Sequence, residues 1–232
     1  MGDDVGETGG GALLERLART REILERERSE APDLLAELLA EEPDRQLDRV
    51  ARDPRFQTWG LCELLLNVVP AANAANVANA ANAAKIADIA DIAETGRRAR
   101  LVLAVADHLG DRHPAQLVED LRARAWARVG EACLATADLA GAEEALRTAA
   151  ACLGHGTGDL LVDARLLEFE AAVRCAQGRP GDAIAPLKQA AARYRKANEV
   201  DHLARVVAWR EALQGESHPS DAVPHYAFGP LR

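Results

Sequence analysis

Three groups of residues in this 232-residue chain have types and spacings that chemistry could use. Gly154, Gly156 and Gly158 alternate through a short stretch, as in a backbone cradle for phosphate. The stretch follows a helical pattern rather than a strand, however, and no Lys-Ser or Lys-Thr pair comes after it. A helix-breaking loop with Asp159 capping the next helix therefore accounts for it better. Cys152 and His155 have the C-x2-H spacing of half a zinc site, but no second pair of ligands stands near them, and a surface His in a glycine loop is the simpler reading. Cys133 could act as a nucleophile only if a distant His approached it. With Cys62 and Cys175 the cysteines form no C-x-x-C pair, so neither a zinc ribbon nor a disulfide framework is expected. They read as small apolar residues in a reducing cytoplasm. No catalytic, cofactor or metal site follows from these groups, and the chain reads as a non-enzyme.

The elements that must carry any site are helices. Apolar residues make up 48% of the chain but aromatic ones only 3%, and Ala is the commonest residue, which favours closely packed helices over pleated sheets. A net charge of −9 argues against nucleic acid or an anionic membrane surface as partner. Apolar runs such as Leu101 to Ala106 fall far short of the ~18 residues of a membrane span. The first residues lack the basic and apolar regions of a secretory leader.

Residues 1–11, Gly-rich and acidic, are predicted to be disordered. Residues 12–55 form a short helical segment in which Leu13, Leu14, Leu17, Ile23 and Leu24 recur at helical spacing, and Pro32, Pro43 and Pro54 are predicted to cut it into short helices. Residues 56–69 continue as an amphipathic helix ending near Pro70. A low-complexity insertion follows at 71–93, with Asn73, Asn76, Asn79, Asn82, Lys85, Asp88, Asp91 and Glu94 at every third position. On a helix a period of three drifts by about −60° per step, so the polar stripe winds round and no fixed apolar face results. This segment is expected to extend a helix or to form an excursion.

Self-similarity begins near Ala123. Trp126, Val129 and Gly130 lie on one predicted helix, residues 137–141 make a turn, and Ala142, Leu146 and Ala149 lie on the next. A second copy has Leu167 and Ala171, a turn at 177–181, then Ala183, Leu187 and Ala190. Ala99, Leu103 and Ala106 upstream, and Val206 and Ala222 downstream, repeat parts of the pattern. The set resembles the tetratricopeptide repeat (TPR), W-x2-L-G-x2-Y followed by A-x3-F-x2-A, with Cys133 at the Tyr position and Glu170 at a normally apolar one. The buried place that the repeat gives Cys133 needs only a small side chain. Equivalent Ala residues are 43, 41 and 39 apart, longer than the usual ~34. Residues 59–66 and 120–127 are also similar to uncharacterised bacterial TPR proteins.

The resemblance implies an all-α fold, an α-solenoid of TPR-like helix hairpins over residues 56–232, and a non-catalytic scaffold that binds a peptide or helix in its concave groove. It places ligand-facing side chains on the first helix of each pair: Arg124, Arg128, Glu131 and Leu134 in one copy, Arg165, Glu168, Phe169 and Ala172 in the next. The three guanidiniums could fork onto an acidic peptide or a C-terminal tail, with Phe169 as apolar anchor. Alternatively they pair with Glu131, Glu168 and neighbouring acids at a solvated surface. A different class of function is a regulatory protein whose repeats sense a ligand and control the segment 12–55. Pro224 and Pro230 limit the last helix, so Leu203, Val206, Val207 and Trp209 are expected to form a partly open edge suited to self-association.

Overall fold

The structure is a computed structural model that describes residues 8–67, 80–110 and 112–215. Among these residues the chain is all-α, with no strand. The elements are α1 (Thr8–Leu39), α2 (Pro43–Arg52), a 3-10 turn (Pro54–Phe56), α3 (Trp59–Asn67), α4 (Ala80–Ala106), α5 (Ala115–Ala135), α6 (Leu139–His155), α7 (Leu160–Ala176), α8 (Pro180–Ala197) and α9 (Val200–Gly215).

Two of the three prolines in the first segment open elements, where a missing N–H costs no intrahelical bond: Pro43 in α2 and Pro54 in the 3-10 turn. Pro32 does not break the chain as predicted; α1 runs through it. Ala31, Leu35 and Leu38 on either side are buried, and that packing holds the helix across the lost bond. Thr8–Gly11 are the first turn of α1, although the sequence predicts disorder there; residues 1–7 lie outside the described residues. Phe56 closes the 3-10 turn and is buried, so the next helix starts later than predicted, at Trp59. Residues 80–93 of the low-complexity insertion are helical and continuous with the rest of α4, while 71–79 lie outside the described residues.

The two repeat copies form hairpins, α5 with α6 and α7 with α8. Each is joined by three residues, which forces the helices antiparallel. Both turns end the first helix in the same way. Ala137 and Gly178 adopt left-handed backbone at φ 59° and 72°. The next N–H reaches back five residues, Asp138 to the Cys133 carbonyl and Arg179 to that of Arg174. These positions differ by 41, the offset between Ala142 and Ala183, both of which are fully buried. Asn198 ends α8 with the same device, at φ 61°.

Cores follow chain order. Leu35 and Leu38 of α1 and Val50 of α2 share one cluster with Leu61 and Leu65 of α3, Val102 and Val105 of α4, and Val118 and Leu121 of α5, so the helices before Phe56 are not a separate body. Phe169 fills a second cluster with Ala142 and Ala149, and α7, α8 and α9 make a third around Leu187, Tyr194 and Trp209. In that third cluster Val206 and Trp209 are 1% and 3% exposed, and Leu203 and Val207 pack partly against it. Of the predicted open edge, Val206 and Trp209 are thus covered, while Leu203 and Val207 stay partly exposed; Val200, at the start of α9, is exposed as well. Ala222, Pro224 and Pro230 lie outside the described residues. No helix among the described residues is long and apolar enough to cross a membrane.

Candidate functional site

Arg124 and Arg128 stand one turn apart on α5 and so share a face. Because α5 packs beside α7 as well as against α6, that face meets Arg165, and with Glu131 these side chains line a cleft closed at one side by Leu66 and Asn67 of α3. The cleft is small, about 30 Å³. Arg128 Nη1 donates to Glu131 Oε2 at 3.0 Å. Burial makes the Glu131 carboxyl harder to ionise than usual, despite the pull of Arg128. Burial also lowers the proton affinity of Arg124 and Arg165, and for Arg165 the like charge of Arg128 adds to it.

The acids that face Arg124 are engaged elsewhere. Glu63 takes Arg28 at 2.6 Å and the Trp59 indole N–H at 2.8 Å. Asp159 caps α7 by accepting from the Leu161 N–H at 2.7 Å. Asp120 accepts the Thr157 N–H at 3.1 Å and its hydroxyl. Among the described residues Arg124 has no ion-pair partner within 4.0 Å.

The other four residues placed in the groove by the repeat pattern do not line this cleft. Phe169 is fully buried against Gly130, Ala142 and Ala149, so it packs the fold rather than anchoring a ligand. Ala172 is buried in the α7–α9 cluster, and Leu134 packs partly against both neighbouring clusters. Glu168, fully buried, accepts from the Tyr194 hydroxyl and from Arg205 Nη2 at 2.8 and 3.0 Å. Burial pushes its carboxyl above the usual range against the pull of Arg205. His202 stacks on Tyr194 with ring centroids 5.1 Å apart and lies 3.0 Å from Arg205. Sequence reasoning misses this cluster, because its members come from three helices at separations that no periodicity links.

The glycine loop is explained from within the chain. Its Thr157 N–H is already held by the Asp120 carboxylate, and a Cβ on Gly156 would collide with that carboxylate. Gly158, at φ 77°, supplies the left-handed turn before Asp159. Burial raises all four thiols, Cys152 and Cys175 to about 11, which keeps them protonated and weakly nucleophilic at neutral pH. Among the described residues no three His, Cys, Asp or Glu side chains converge on a metal-sized site. No family model, curated protein or solved structure matches the chain.

Proposed function

We propose that the chain is a non-catalytic protein-interaction module, a TPR-like α-solenoid that receives an acidic peptide of another protein in the cleft between α5 and α7. One observation carries this reading: Arg124, Arg128 and Arg165, from two helices in different hairpins, line one concave site in which Glu131 is the one carboxylate among the described lining residues. Guanidiniums held there would fork onto carboxylates with little loss of rotamer freedom. Packing in chain order and the recurrent turn at Ala137 and Gly178 support the repeat reading. The shared core of α1 to α5 weighs against the alternative, a regulatory protein with an independent effector at residues 12–55.

The test is binding of an acidic peptide selected by display against the whole chain. Reversing Arg124 and Arg128 to Glu is expected to weaken it severalfold and flatten its salt dependence, with helical content by circular dichroism unchanged. Unaltered affinity in that double variant moves the binding site away from the cleft.

A further inference from the structure

We infer that the chain assembles with itself, the first half of α1 of one copy lying in the groove between α6 and α7 of another. That groove is distinct from the cleft between α5 and α7, and the inference does not rest on what the cleft binds.

The groove between α6 and α7 is open and holds about 730 Å³. On α6 its lining is Glu143, Leu146, Arg147, Ala150, Leu153 and Gly154, and adding 20 to each number gives the lining that α7 supplies. Steps of three and four keep each set on one helix face, so each helix turns one face to the groove for three turns, about 16 Å by the helical rise. Leu146, Leu153 and Leu167 are only half-buried there, and Ala150 is exposed. An apolar strip of this length with charged residues along it suits the apolar face of one amphipathic helix.

The chain carries such a helix. α1 is unbroken from Thr8 to Leu39, but it is built into the body only from Glu27 onward, through Ala31, Leu35 and Leu38. Before Glu27, among the residues whose burial is described, only Ile23 and Leu24 are even half-buried, and Leu14 is 68% exposed. The sequence places Leu at 13, 14, 17 and 24, the spacing of a single apolar stripe. An unbroken helix anchored by its second half does not turn back onto its own second hairpin, so a second copy supplies the groove.

Charge favours this pairing over others between two copies of an acidic chain. At a net charge of −9 most faces of two copies repel each other. Residues 8–26 are an exception, with four Arg against three Glu, and the groove has the opposite balance, Glu143, Asp163 and Glu170 against Arg147 and Arg174. Both groove cations already have acids, Glu144 for Arg147 and Glu170 for Arg174, whereas Glu143 holds the uncharged Gln177 amide. The contact joins unlike surfaces, so it closes into a ring or continues as a chain of copies.

Sedimentation velocity of the whole chain, from dilute solution to millimolar concentration, tests this. The wild type is expected to rise above the monomer mass. Leu14→Glu on the arm and Ala150→Glu in the groove each replace an exposed side chain, so neither burdens the fold. Each alone is expected to raise the concentration needed for assembly at least tenfold, with helical content by circular dichroism unchanged. Mixing the two variants is the decisive step, because the first keeps an intact groove and the second an intact arm. A one-to-one complex that neither variant forms alone is expected. A chain that stays monomeric throughout overturns the inference, and so does a mixture that yields no such complex. Assembly that either variant keeps at the wild-type concentration overturns it as well, since one of the two surfaces is then not used.

Discussion

Ala137 holds a left-handed backbone that Gly178 holds at the equivalent turn without steric cost. Its Cβ has no other duty there, so Ala137→Gly is expected to stabilise the fold by up to about 1 kcal/mol, after the extra freedom of the unfolded glycine is discounted. Gly178→Ala should lose a similar amount, since a Cβ there meets no atom within 4 Å and the change reports the backbone alone. Opposite shifts in urea midpoint check the pair; parallel shifts would sink the equivalence of the turns. Glu27 makes a second residue-scale case. It is buried, accepts from the Trp59 N–H at 2.6 Å and lies 3.6 Å from His113 Nε2. Burial pushes its carboxyl up, but His113 and the Trp59 and Gly60 amides outweigh that and hold it below its ordinary value. A depressed folded value adds stability above the ordinary carboxylate range that is lost as pH falls through the folded one. The stability gap between wild type and Glu27→Gln should therefore be widest near neutrality and narrow in acid. A gap constant with pH would remove Glu27 as its source.

Between elements, the small residues of the repeat pattern do what their size allows. A Cβ on Gly130 would meet the Phe169 ring and come within 3.1 Å of the Ala145 Cβ, so α5 lies as close to its neighbours as a bare backbone permits. Gly130→Ala is expected to cost about 1–3 kcal/mol by overpacking, although Ala is the better helix former. A gain in thermal midpoint would show the contact to be slack. This also marks where the sequence was legible and where it was not. Gly130, Ala142 and Ala149 announce close helix contact by size and spacing alone, and Asp159 announces a cap. The repeat pattern assigned Phe169 and Glu168 to the ligand face because it fixes which residues share a helix face, but not how far each neighbouring hairpin wraps over it. Phe169 is drawn inward by the space beside Gly130, and Glu168 by Tyr194 and Arg205. Glu168→Ala would leave Arg205 without its acceptor and is expected to cost about 2 kcal/mol, seen first as loosening of α9. Protection of α9 amides identical to wild type would contradict that role.

At the scale of the molecule, each helix packs chiefly on helices near it in sequence, and the clusters pass from α1–α5 through α5–α7 to α7–α9. If the chain behaves as the proposed solenoid, its stability is expected to be a sum over neighbours rather than the property of one central core. The largest cluster lies at the first end, where Leu38, Phe56, Leu61, Leu101, Leu109 and Leu121 are fully buried together. Composition made helices legible, and the repeat made two hairpins legible. The first cluster was not, because α1 and α2 carry no copy of the repeat and meet α3 to α5 only through tertiary contact. Leu187 is fully buried in the last cluster, and Leu187→Ala there should cost about 2–5 kcal/mol. Because that loss falls on neighbours and not on a shared core, hydrogen exchange should quicken through α7, α8 and α9 while amides of α1, α3 and α4 keep their protection. A uniform loss of protection from α1 to α9 would mean instead that the clusters unfold as one cooperative unit, and that the hairpins are joined more tightly than packing in chain order implies.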